Sequence, residues 1–174
     1  MPQTIVLVTF YSRGGSTERL ATAAAVGAVQ ARAGIRLRRV PDADPAGALE
    51  QFPEQADTLR RMQKEYATPR EADVTAADVL IFASTPDVSA SAPVWSSFFD
   101  LLAQLQSRGK LVGKVGAAID NGAPFAEFSS QIERLGLVAV PPITAGTESE
   151  DEIRRSVALG RQAVTVADAL KANI

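Results

Sequence analysis

The sequence contains neither cysteine nor histidine among its 174 residues. The absence of cysteine excludes disulfides, thiolate metal sites and thiol nucleophiles. The absence of histidine excludes general-base chemistry by imidazole, a Ser-His-Asp triad and histidine-ligated metals. Any enzymatic reaction must therefore depend on carboxylates or on a bound cofactor. A redox cofactor fits better, because it brings its own reactivity and needs only to be positioned.

An excess of one charge and long apolar runs are also missing. Lys and Arg number 18 against 20 Asp and Glu, which leaves a net charge of −2 and no basic stripe for nucleic acid. No apolar run approaches the length of a membrane span, and the first residues lack the basic-then-apolar pattern of a signal peptide. We therefore expect a cytoplasmic protein without a membrane span or a nucleic-acid partner. The length predicts one domain over residues 1–174.

The first twenty residues combine a buried strand with a loop that suits an anion. An apolar run from Ile5 to Tyr11, broken only at Thr9, predicts a strand buried on both faces, as in a parallel sheet. A helical stripe starts at Leu20, so the residues between lie at the positive end of a helix dipole. These six residues, the first loop, supply two glycines for a sharp turn, three hydroxyls and one arginine: Ser12, Arg13, Gly14, Gly15, Ser16 and Thr17. The pattern favours phosphate binding over a plain turn with Ser16 or Thr17 as the helix N-cap.

The rest of the chain alternates strands and helices. Further strands are predicted over residues 35–40, 78–84, 115–119 and 137–143. Helices are predicted over residues 16–33, 54–66 and 93–106. A further helix follows the loop at residues 120–125 and ends at about residue 135, and the last one runs from the capping box at 149–152 to the C-terminus. Residues 41–53 are expected to form a loop. The alternation predicts an α/β three-layer sandwich, a five-stranded parallel sheet with helices on both faces.

The strand order 2-1-3-4-5 would bring three polar loops to one edge of this sheet. They are the first loop, a second loop at residues 85–91 and a third loop at residues 120–125. This edge suits a mononucleotide, with its phosphate in the first loop and a flat ring between the other two, and FMN fits. The sequence lacks G-x-G-x-x-G and a complete P-loop. A receiver domain is rejected because the first strand ends in Tyr11-Ser12 instead of paired acids.

Several further motifs follow the spacing found in a known family. They are Ala67-Thr68-Pro69-Arg70-Glu71, residues 77–86, Phe98-Phe99-Asp100 and Gly113-Lys114. The first loop is itself similar to the S/T-x-T-G-x-T-E phosphate loop of flavodoxin-like proteins. Together these motifs resemble the Trp-repressor-binding-protein-like NAD(P)H:quinone oxidoreductases. The resemblance implies a flavodoxin-like fold, FMN as cofactor, NAD(P)H as co-substrate, a quinone as acceptor, and a homo-oligomer, either dimer or tetramer.

The resemblance also implies which residues hold the cofactor. The first loop would hold the phosphate, and no side chain is assigned as an acid or a base. The flavin ring would be lined by the second and third loops, largely through backbone groups: Thr85, Pro86, Asp87, Val88, Ser89, Ala90, Asp120, Asn121 and Gly122. The sequence departs from the family at Gly14, where a threonine is usual. Its second loop is one residue shorter, carries Asp87 and lacks an aromatic residue or arginine, and its third loop is also shorter.

Two other functions are left open by the sequence. One is a one-electron carrier like flavodoxin, although the balanced charge does not favour it. The other is a flavin-free binding or scaffold protein that keeps the fold without the site. Trp95 is expected to pack in the core or at a subunit contact rather than to stack on an acceptor with Phe125. The basic residues Arg32, Arg36, Arg38 and Arg39 are expected either to be solvated or to bind a 2′-phosphate.

Overall fold

The computed structural model describes residues 2–120, 127–144 and 149–174, with Asp120 described by its backbone only. The strands are β1 (Ile5–Tyr11), β2 (Gly34–Arg39), β3 (Val79–Ser84), β4 (Val115–Asp120), β5 (Val138–Ala139) and β6 (Ile143–Thr144). The helices are α1 (Ser16–Gln30), α2 (Pro45–Gln51), α3 (Ala56–Glu65), α4 (Glu71–Ala76), α5 (Pro93–Ser107), α6 (Glu127–Arg134) and α7 (Glu150–Ala172), with a 3-10 turn at Pro53–Gln55. None of these helices is long and apolar enough to cross a membrane.

The sheet is parallel and has the strand order β2-β1-β3-β4-β5, with β6 also paired to β4. The predicted order and the α/β class are therefore confirmed. β1 and β3 lie in the middle of the sheet, which explains why their sequences are apolar without alternation. Alternate side chains of each strand enter two separate cores. Val6, Val8 and Phe10 face α1 and α7, whereas Leu7 and Tyr11 face α5 and α6.

α1 and α7 pack unusually closely on one face of the sheet. A Cβ atom placed on Gly27 would lie 1.9 Å from the carbonyl oxygen of Val157, and one on Gly160 would lie 1.9 Å from that of Ala24. Neither distance leaves room for a methyl group. The two glycines, together with the alanine-rich face of α1, therefore allow the helix backbones to touch while they cover the sheet.

Three predicted boundaries were wrong. Residues 41–53 are not all loop, because α2 begins at Pro45, and the Asp44 side chain caps it by accepting a hydrogen bond from Gly47 N at 3.1 Å. α1 ends at Gln30 instead of residue 33, since Arg32 adopts a left-handed φ of 66°. The last strand is split into β5 and β6 by Pro141-Pro142, which lack the N–H groups that a ladder needs.

Candidate functional site

The loops after β1, β3 and β4 leave the same edge of the sheet. Tyr11 is in register with Ser84, and Ala83 is in register with Ile119. The backbone N–H of Thr85 donates to the carbonyl of Tyr11 at 3.0 Å, so the first and second loops begin side by side. The topology therefore brings together the starts of the three loops that were predicted to form one site.

The first loop turns sharply into α1 through Gly15. This residue has a left-handed φ of 94°, which suits glycine and strains any other residue. Gly15 is also the N-cap, so the alternative in which Ser16 or Thr17 caps the helix is wrong. The Ser12 hydroxyl instead accepts a hydrogen bond from Gly15 N at 3.2 Å and holds the turn. Within the described ranges, no side chain caps the positive end of α1.

Arg13 connects the first loop to the second. Its guanidinium forms an ion pair with the carboxylate of Asp87 and stacks on the ring of Phe52, at 4.1 Å from the centroid. Only 12% of the Arg13 side chain is exposed, against 67% for Asp87. Arg13 also borders a cavity of about 360 Å³ between the first loop, α2 and Val94. Asp87, the acidic residue of the second loop, is thus neutralised by an ion pair with Arg13.

A buried polar cluster that the sequence analysis missed supports the first loop from below. The Arg39 guanidinium donates two hydrogen bonds to the carbonyl of Ser12, at 3.0 and 3.3 Å, and pairs with the Asp42 carboxylate at 3.0 Å. Asp42 also accepts hydrogen bonds from the Tyr11 hydroxyl at 2.7 Å and from Gln63 at 2.9 Å. The cluster fixes the position of the Ser12 backbone. The sequence feature that could have revealed the cluster is the alternation in β2, which places Arg39 on the inward side of the strand.

The pKa values in this cluster follow from burial and hydrogen bonding. Burial by itself favours the neutral form of Asp42, but the hydrogen bonds from Arg39, Gln63 and Tyr11 outweigh it and lower the pKa of the carboxyl group. Burial and the negative charge of Asp42 together raise the pKa of Tyr11. The cluster is therefore an ion pair with a neutral phenol at neutral pH.

The four basic residues near β2 do not form one solvated group. Arg39 is buried, and its guanidinium is occupied by Asp42 and Ser12. Arg36 and Arg38 both pair with Asp73, each at 3.1 Å. Arg32 alone of the four is exposed. Internal pairing therefore accounts for Arg36, Arg38 and Arg39, whereas Arg32 is solvated.

The α2–α3 segment, residues 45–65, lies against the first loop. The ring of Phe52 stacks on Arg13. Gln55 Nε2 lies 2.9 Å from where a Cβ of Gly14 would be, and the Thr58 methyl lies 3.5 Å from where a Cβ of Gly15 would be. Arg61 pairs with Glu18 in the first turn of α1 at 2.7 Å. These contacts bring residues from a second part of the chain to the predicted phosphate site.

Glu18 is the anchor of this segment on α1. Besides Arg61, the hydroxyl of Tyr66 donates to its carboxylate at 2.9 Å. Partial burial opposes ionisation, but the hydrogen bonds from Arg61 and Tyr66 dominate and lower the pKa of Glu18. Burial and the hydrogen bond to Glu18 raise the pKa of Tyr66 to about 12. Glu18 therefore stays ionised and holds α3 beside the first loop.

The second loop consists of two successive turns. Val88 N donates to Thr85 O at 3.0 Å, and Ala92 N donates to Ser89 O at 3.1 Å. Pro86 and Asp87 are exposed at the tip, Ser89 is partly buried, and Ala90 is buried. This places backbone groups, rather than large side chains, at the edge of the sheet.

Trp95 lies in the core, as predicted. It is fully buried, and its indole N–H donates to the Ser84 hydroxyl at 3.1 Å. Its ring also meets Phe128 edge-on with centroids 5.0 Å apart. Asp120 ends β4, at the start of the third loop. Asn121, Gly122 and Phe125 lie outside the described residues, so their predicted roles stay predictions.

The donors of the first loop fit a phosphomonoester. Arg13 supplies a cation and Ser16 a partly exposed hydroxyl, and the left-handed turn at Gly15 presents backbone to a ligand without a Cβ. The Ser12 hydroxyl is buried and contributes by holding the turn. Arg39, whose charge is balanced by Asp42, holds the Ser12 carbonyl from behind. The arrangement can therefore bind a doubly negative group at the N-terminus of α1.

No protein-family model matches the chain. It is 30% identical over 166 residues to an NAD(P)H dehydrogenase (quinone) from Chelativorans sp., an alignment that covers 89% of this chain and 80% of that protein. A relative of the same description from Archaeoglobus fulgidus is 28% identical over 189 residues, with coverage of 95% and 98%.

Solved structures show the same fold. A flavodoxin, WrbA-like protein from Agrobacterium tumefaciens superimposes with a TM-score of 0.67 at 20% identity, over 96% of this chain and 99% of that one. A flavodoxin from Streptococcus pneumonia gives a TM-score of 0.60 at 16% identity, over 98% of this chain and 100% of that one. These likenesses confirm the predicted flavodoxin-like fold.

Proposed function

This chain belongs to the NAD(P)H dehydrogenase (quinone) family, and we propose from that premise that it is an FMN-dependent NAD(P)H:quinone oxidoreductase. The phosphate would lie in the first loop, on Ser12, Arg13, Gly14, Gly15, Ser16 and Thr17. The flavin ring would lie at the edge of the second and third loops, along residues 85–90 and 120–122. We further expect a homo-oligomer, as the family resemblance implies, and, from composition and length, a cytoplasmic location and one domain over residues 1–174.

The observation that supports this proposal most strongly is the position of Arg13. Its side chain is largely buried, and its guanidinium pairs with Asp87 where the first and second loops meet. In sequence, Arg13 lies three residues before α1, whose N-terminus has no side-chain cap. An anion bound in the first loop would interact with the dipole of α1 and would compete with Asp87 for the Arg13 guanidinium. A plain strand-to-helix turn needs no such cation.

In this proposal, the residues of the chain bind the cofactor and orient it. Ser12 and Arg39 hold the first loop in its turned conformation, and Arg13 fixes the phosphate end of the ligand. Bound FMN supplies the hydride-accepting and hydride-donating chemistry. No histidine or cysteine is available as an acid or base, which agrees with a reaction carried by a cofactor.

The first test is flavin retention. The purified protein is mixed with FMN, freed of excess ligand and examined by visible absorption. We expect a retained flavin band that is lost in the Ser12→Ala/Thr17→Ala variant and weakened in Arg13→Ala. Circular dichroism of each variant confirms that the fold is intact. A wild-type protein that retains no FMN at high concentration would contradict both redox functions and favour the flavin-free binding protein.

The second test separates an enzyme from an electron carrier. We expect NAD(P)H to bleach the flavin band anaerobically and a quinone to restore it, without any added reductase. A flavodoxin-type carrier would show no bleaching until a separate reductase is added. Light-scattering mass measurement of the same sample tests the expected dimer or tetramer.

A further inference from the structure

The side chain of Gln55 occupies the space beside Gly14 in the first loop. A Cβ atom placed on Gly14 would lie 2.9 Å from Gln55 Nε2 and 3.5 Å from its Cδ. The backbone of Gly14 is not left-handed, unlike that of Gly15, so conformation alone does not demand a glycine there. The space that a side chain at position 14 would need is therefore occupied by the carboxamide of Gln55.

Gln55 is held at this position by contacts that do not involve its own side chain. Three residues before it, Phe52 stacks on Arg13 at 4.1 Å. Six residues after it, Arg61 pairs with Glu18 at 2.7 Å. Both contacts join the α2–α3 segment to the first loop or to the first turn of α1. The backbone that carries the carboxamide is thus fixed beside the first loop, and Gln55 is exposed to solvent.

We propose that Gln55 is a phosphate-binding residue of the flavin site and supplies the polar group that Gly14 lacks. The inference rests on the proposed function. A carboxamide nitrogen carries two N–H donors, and a phosphomonoester offers only acceptors at neutral pH. The nitrogen lies beside the first loop, on the side of Gly14, where a threonine in the resembling pattern would place its hydroxyl. The site is therefore built from two segments of the chain, the first loop and the 3-10 turn that contains Gln55.

The test compares two ligands that differ only in the phosphate. The affinities of FMN and riboflavin are measured by flavin fluorescence titration for the wild type, Gln55→Ala and the control Gln104→Ala. Gln104 is an exposed glutamine in α5, outside the proposed site. We expect Gln55→Ala to weaken FMN binding about tenfold, the effect of losing a hydrogen bond to a charged group, and to leave riboflavin binding unchanged. Gln104→Ala should bind both ligands like the wild type.

Substitutions at Gly14 provide a reciprocal test. The amide is the far end of a flexible side chain, so a Gly14→Ala methyl should displace it without disturbing the fold. We expect Gly14→Ala to lose as much FMN affinity as Gln55→Ala, and the double variant to lose no more than either single one. Gly14→Thr in the Gln55→Ala background should recover part of the loss, because its hydroxyl replaces the missing donor.

The outcomes separate this inference from the function on which it rests. If the wild type binds FMN and Gln55→Ala binds it equally well, the inference about Gln55 is wrong and the proposed function stands. Equal losses for FMN and riboflavin would also overturn the inference, because they would indicate a packing role. If the wild type binds neither ligand, the proposed function and the inference are both wrong.

Discussion

Removing the carboxylate of Asp42 should destabilise the protein strongly. In the Asp42→Ala variant, the Arg39 guanidinium keeps its hydrogen bonds to Ser12 but loses its counter-ion, at a position where only 3% of its side chain is exposed. The hydroxyl of Tyr11 and the amide of Gln63 lose an acceptor at the same time. Breaking a buried ion pair from one side typically costs about 3–5 kcal/mol.

This cost is large against the total stability of a domain, which is roughly 5–15 kcal/mol. For a chain of this length, about 2–4 °C of melting temperature is lost per kcal/mol. We therefore expect the melting temperature of Asp42→Ala to fall by about 6–20 °C. Urea unfolding followed by circular dichroism provides the free energy of unfolding, with Arg60→Ala as a control at an exposed ion pair.

A paired variant makes this prediction specific. Arg39→Met/Asp42→Leu removes both charges, so no guanidinium remains buried without its partner, and most of the stability should return. The double variant also lacks the two hydrogen bonds to the Ser12 carbonyl, so its FMN affinity should be lower than that of the wild type although its stability returns. A loss below about 1 kcal/mol in Asp42→Ala would refute the reasoning. So would a double variant that is no more stable than Asp42→Ala.

Three further predictions concern other contacts of the site and its support. Asp87→Asn frees Arg13 and removes a negative charge near the phosphate, so FMN affinity should rise roughly two- to fivefold at low salt and less at high salt; weaker binding in a titration would contradict this. Gly160→Ala should lower the free energy of unfolding by more than about 2 kcal/mol in urea, despite the better helix propensity of alanine, whereas Thr22→Ala on the exposed face of α1 should not. Glu18→Gln should lower the melting temperature at pH 7. Because the folded pKa of Glu18 lies below its unfolded value of about 4.3, the stability it contributes is complete above that pH and is lost as the pH falls through the folded pKa. The melting curves of the variant and the wild type should converge in acid, and a constant difference down to pH 2 would contradict the assignment.

Much of the architecture was readable from local sequence pattern. The unbroken apolar runs of β1 and β3 predicted central strands, because a strand covered on both faces has no polar side to alternate. The two glycines and the hydroxyls after Tyr11 predicted the turn into α1. Trp95 was expected in the core or at a subunit contact and lies in the core. In each case the decisive interaction lies within a few residues of the chain or depends only on burial.

Sequence by itself determined the class of fold, the strand order that a known family suggests and the place of the first loop. Only the tertiary structure decided what surrounds that loop. Gln55 beside Gly14, Phe52 under Arg13 and Asp87 across from it come from segments about 40 to 75 residues away in the chain. Arg39 and Asp42 became a buried ion pair because β2 turns one inward and the chain brings the other back beneath Ser12. Such contacts depend on how separate segments pack, and no local periodicity records which distant side chain will fill the space beside a glycine.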